Sequence, residues 1–194
     1  MITRITKGRV LVGKVLQQQV EVLYLGAPII TSNTRIVTLA DFVLNSTQTI
    51  AAQPDVPRNL TLVMVDPNAS ITAGLITIVG EDIYGRVISD VWNIPTNLVS
   101  TKVTTNVYAK VTSVTTSGIT GAIGAGSDQV SVGVGDVIGI PDITSAASIK
   151  HVLLGAARIA SPTIATGLGK SGINVAASTY NGTKVLQAYV LRSE

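Results

Sequence analysis

The run Thr166-Gly167-Leu168-Gly169-Lys170-Ser171 ends in the Gly-Lys-Ser of a phosphate-binding P-loop. In that motif, backbone amides and the lysine cradle phosphates where a helix begins. The motif also needs glycine five positions before Gly169, and Ile164 stands there. The continuation Gly172-Ile173-Asn174-Val175 is poor material for starting a helix. The plain reading is a Gly-rich loop between strands, with no nucleotide bound.

Other reactive groups are equally short of company. His151 is the single histidine and there is no cysteine, which excludes a His/Cys metal cluster. A Ser-His-Asp arrangement would have to use His151, and no Gly-x-Ser-x-Gly elbow accompanies it. Asp66, Asn68, Glu81 and Asp82 are oxygen ligands of the kind calcium takes, if loops brought them together. The simpler reading makes them turn residues, like Asp128, Asp136 and Asp142 near glycine or proline. Neither a catalytic residue nor a cofactor is expected.

Charge offers a different kind of site. Residues 1–40 carry Arg4, Lys7, Arg9, Lys14 and Arg35 against Glu21 alone, although the whole chain is only +3. Arg4, Lys7, Arg9 and Lys14 are therefore the candidate contacts to a partner protein. Lysine-protected strand edges are the blander alternative. No Arg-rich or aromatic cluster points to nucleic acid. No run approaches the roughly 20 apolar residues of a membrane helix, and the opening residues do not read as a secretory signal. Four Asn-x-Ser/Thr triplets, at Asn45, Asn59, Asn68 and Asn181, are what chance supplies in a Thr-rich chain.

The elements that must position these groups read as strands. Hydrophobic residues make up 46% of the 194 residues with one Phe and one Trp, so Val, Ile, Leu and Ala must fill the core. Val, Ile and Thr are stiff at χ1 and suit a pleated strand. Residues 99–114 alternate, with Val99, Val103, Val107 and Val111 on one parity, and predict one half-buried strand with a bend. Val130, Val132 and Val134 predict another. Asp66-Pro67-Asn68 and Tyr84-Gly85-Arg86 predict turns. Asn181-Gly182 predicts a hairpin pairing the two final strands. Residues 149–159 are ambiguous between helix and strand. The segment 45–57, with Pro54 and Pro57, reads as linker or loop. The expectation is an all-β protein, an antiparallel β-sandwich or barrel with an N-terminal extended arm. Residues 1–54 would be the arm with its linker, and 55–194 the sandwich body. The alternative makes residues 10–44 edge strands of that same sandwich.

Three stretches resemble structural proteins of tailed-phage virions. They are Asn59–Asp66, Ile76–Arg86 and the Val-Ser-Val-Gly-Val-Gly-Asp run within Gln129–Pro141. The Asn181-Gly182-Thr183 turn with its closing apolar strand is also similar. The resemblance implies an accessory protein on the phage capsid surface that decorates or cements the shell. It implies a partner in the major capsid protein or another virion protein, and a homo-oligomer, a trimer suiting local threefold positions. It carries no catalytic residue. A tail-tube, neck or other virion component, and a cell-surface adhesin or carbohydrate-binding module, remain the alternatives.

Overall fold

The computed structural model describes residues 3–10, 18–41, 45–94, 99–122, 128–141, 145–160, 162–165, 171–174 and 180–193. Among the described residues fourteen strands pair antiparallel in three sheets, and the one helical element is a single 3₁₀ turn, Ala146–Ser148. The all-β antiparallel expectation holds. One sheet runs β1 (Thr3–Val10), β2 (Gln18–Tyr24), β14 (Leu186–Ser193), β10 (Ile149–Leu154), β11 (Ala157–Arg158). A second runs β12 (Thr163–Ala165), β13 (Gly172–Asn174), β9 (Gln129–Gly139), β4 (Arg58–Val65), β7 (Val99–Val103), with β3 (Ser32–Asp41) also on β9. The third sets β5 (Ile71–Glu81) between β6 (Val87–Asn93) and β8 (Lys110–Gly121).

The valine alternation of β9 places it at the centre. One edge pairs with β4; the other pairs first with β3 and then with β13. Val130, Val132 and Val134 enter a core shared with Leu60, Leu62 and Met64 of β4 and Ile76 and Ile78 of β5. Further along, Ile138 and Ile140 belong to a second core with Leu23, Val152, Leu186, Ala188 and Val190. Gly133 lets β3 approach, because a Cβ there would overlap the Ser32 carbonyl.

Three expectations need correcting or sharpening. Residues 99–114 are not one strand: β7 lies in the second sheet, β8 in the third, and residues 104–109 turn the corner. Val99 and Val103 are exposed while Val107 and Val111 are buried, so a single parity did not mark a single face. Among the described residues the final strands do not pair with each other. The Asn181 side-chain oxygen accepts from the Thr183 and Lys184 amides to build the expected turn, but that turn passes the chain between sheets. Residues 149–159 are strand, with Gly155 at φ 62 turning β10 into β11. Strands on either side of residue 54 share sheets. β2 lies between β1 and β14, and β3 pairs with β9, because Leu23 and Val37 need the body's cores to leave water.

Candidate functional site

Arg4, Lys7 and Arg9 share β1, opposite Leu23 at Arg4 and Gln19 at Arg9, with Lys7 inside the register shift between them. Lys14 lies outside the described residues. β1 borders its sheet, and among the described residues it pairs only with β2. A border strand presents a row of backbone donors and acceptors, a template for another strand.

The long borders of the third sheet, β8 and β6, are covered. Along β8, Gln48 donates its amide to the Val114 carbonyl at 2.8 Å and Thr116 donates to Ser46 at 2.9 Å. Gln53 bonds both backbone groups of Val111. Along β6, Asn106 Nδ2 donates to the Ser89 carbonyl at 3.0 Å and Lys102 Nζ to the Val91 carbonyl at 2.9 Å. β11 and β12 are too short to template much pairing.

Acidic side chains serve turns. Asp66 is buried and accepts the Ser70 and Ile71 amides at 2.9 and 3.0 Å, which fixes the Asp66-Pro67-Asn68 turn. Asp82 accepts the Tyr84 and Arg86 amides and the Arg86 guanidinium, with Gly85 at φ 75 completing the β5–β6 hairpin. Burial alone would raise the Asp82 carboxyl; the Arg86 side chain and the two amides outweigh it and hold the pKa below the usual value. Asp66 and Asn68 precede β5 whereas Glu81 and Asp82 close it, so the four do not converge; eleven strand residues span about 35 Å. Glu81 meets Lys110 at 3.1 Å. Asp136 accepts from Asn174, Asp128 is buried at the start of β9, and Asp142 lies outside the described residues.

His151 is exposed on β10, its ring edge-on to Tyr189. Residues 166–170 of the P-loop-like run lie outside the described residues, and the Ser171 carbonyl accepts the Ile140 amide. Among the described residues no three His, Cys, Asp or Glu side chains gather as metal ligands. Asn59 is buried with its amide oxygen bonded to the Val137 amide, a structural role for one Asn-x-Thr triplet.

No family model, curated protein or solved structure matches the chain.

Two polar centres have no strong sequence signal. Arg58 reads as a surface residue, yet its buried guanidinium bonds the Gly135 and Ile29 carbonyls and Asp55, with the Tyr180 ring 5.7 Å away. Burial pulls its pKa below the usual arginine value, against the opposing pull of Asp55. Asp90 looks like an ordinary polar position in an alternating strand. Its carboxylate accepts from the Thr105 amide and hydroxyl, the Asn106 amide and side chain, and the Tyr108 hydroxyl. These bonds hold the corner between β7 and β8. Burial, then the Asp90 charge, pushes the Tyr108 phenol above its usual pKa.

Proposed function

We propose that the protein is a non-catalytic structural component of a tailed-phage particle, which decorates or cements the capsid through protein–protein contacts. The resemblance of Asn59–Asp66, Ile76–Arg86 and Gln129–Pro141 to virion proteins gives the reading its particle. The border strand β1, basic at Arg4, Lys7 and Arg9 and paired on one side, supplies the contact that carries it. Backbone groups on such a border gain most by pairing with a neighbouring protein, and basic residues favour an acidic partner surface. The polar residues fit a passive role, since Asp66, Asp82, Asp90 and Asp55 are engaged in turns, a corner and an ion pair.

The experiment is sedimentation of the purified chain with phage heads that lack it, beside isolated tails. Saturable binding to heads is expected. It should weaken with salt and fall sharply when Arg4, Lys7, Arg9 and Lys14 are all changed to Glu. Binding to tails alone, or to neither, overturns the capsid assignment.

A further inference from the structure

We infer that β1 accepts an extended acidic segment of another protein as an added antiparallel strand, with carboxylates opposite Arg4 and Arg9. This partner rests on the reading of β1 as the contact strand, and it turns a basic border into a defined register.

The register follows from where backbone groups point. Leu25, just past β2, donates its amide to the Leu186 carbonyl at 2.9 Å. Backbone groups alternate between the two borders of a strand. Leu23, Glu21 and Gln19 therefore also turn theirs to β14, while Tyr24 and Val22 turn theirs to β1. Thr3 and Ile5 stand opposite Tyr24 and Val22 and exchange those bonds. Arg4 and Thr6 must then turn their amides and carbonyls to the open border. Arg9 would be out of phase in a regular strand, since odd positions share the direction of Thr3 and Ile5. The bulge corrects this. Lys7 and Gly8 together meet Val20, and Arg9 comes to stand opposite Gln19, whose backbone turns to β14. Arg4, Thr6 and Arg9 thus supply the outward backbone groups, and two of these positions are arginine. Arg4 and Arg9 also share a face of the sheet, because Leu23 and Gln19 share one.

This arrangement selects the occupant by charge. A residue that bonds the Arg4 backbone lies directly across from it, with Cα atoms about 5.5 Å apart. There an opposite charge stabilises the pair and a like charge destabilises it. β1, TRITKGRV, holds three basic residues and no acid. A second copy of β1 would set like charges against each other, so the acid comes from another protein. β2 shows the spacing required: the residues opposite Arg4 and Arg9 are four apart, at Leu23 and Gln19. A regular strand on the other border carries its carboxylates at the same interval, on one face. A bulge blunts a border against casual pairing, which leaves this charge register to choose the partner.

The probe is an N-acetylated peptide of Thr and Val with Glu at its third and seventh positions, titrated into the full chain. Its control keeps composition and net charge but moves the second Glu to the sixth position, which sends the two carboxylates to opposite faces. The first peptide should bind about three- to fivefold more tightly, the effect of one cross-strand charge pair. It should also slow hydrogen exchange at the Arg4, Thr6 and Arg9 amides, while Ile5, already bonded to Val22, changes little. Changing Arg4 and Arg9 to Glu should transfer the preference to the same peptide with Lys in place of Glu, with cooperative melting confirming that the variant folds. Equal binding of the two Glu peptides, or binding without protection at Arg4 and Thr6, overturns the added strand. A chain that takes the peptide in register but does not sediment with heads upholds the strand and overturns only the capsid.

Discussion

Arg58 and Asp55 meet at 3.1 Å, and the arginine side chain is wholly enclosed. Asp55 also accepts the Ile29 amide at 2.8 Å, so one carboxylate ties β4 to the chain that leads into β3. Removing one partner strands a buried charge. Asp55→Ala should therefore lower stability by about 3–5 kcal/mol. The double change Asp55→Ala with Arg58→Met should recover part of that loss, since no buried charge remains. Denaturant melts of the three proteins measure both effects; a double variant less stable than Asp55→Ala would contradict the account.

Asp90 and Tyr108 give a second test. Asp90→Ala leaves the corner donors without their acceptor and should cost about 2–3 kcal/mol. Tyr108→Phe, which deletes one bond, should cost about 1 kcal/mol. The raised phenol pKa carries a sign. The unfolded chain releases this proton near the usual 10.0, before the folded chain does, so stability falls as pH rises past that value. Thermal melts in alkali should show wild type losing its advantage over Tyr108→Phe.

These residues also mark what could be read in advance. Val130, Val132 and Val134 announce β9, and Asp66-Pro67-Asn68 and Tyr84-Gly85-Arg86 announce their turns, because each signal depends on neighbours along the chain. Residues 99–114 misled because alternation records that a strand has an inner face, not which sheet supplies it. Val107 and Val111 stay inside, while Val99 and Val103 face outward on another sheet. Arg58 and Asp90 act through partners distant in sequence, Gly135 and Tyr108 among them, which no local spacing encodes. The basic residues of β1 were legible as charge; the pairing of β2 and β3 with β14 and β9 was not.

Asp82 makes the acid limb of the stability profile specific. Its folded pKa is depressed, so the contribution is complete above the usual 3.8 and drains away as pH falls through the folded value. Asp82→Asn should be less stable than wild type near neutrality, and the gap should close in acid. A gap independent of pH would show that the Arg86 contact is not electrostatic.

Two glycines should respond differently to alanine. Gly85 faces open space, and its φ of 75 makes the change cost about 1 kcal/mol. Gly133 has no room for a methyl group beside Ser32. Gly133→Ala should separate β3 from β9, seen as faster amide exchange across both strands and a larger loss in melting temperature.

Shortening the chain separates border from body. Removing residues 1–10 deletes one border strand and should leave a cooperative melt. A chain starting at Gln53 loses β2 and β3, bares Val132 and Ala188, and should aggregate or melt without a clear transition. Clean folding of that shorter chain would support a separable arm.

The place of β14 between β2 and β10 sets a clock on synthesis. Tyr24 pairs with Gln187, so β2 emerges from the ribosome long before its neighbour on that side exists. At ordinary elongation rates the wait is on the order of 10–30 s. Throughout it, Leu23 has β1 on one side and nothing on the other, and the nascent chain offers an unsatisfied strand border to any other chain being made on the same message.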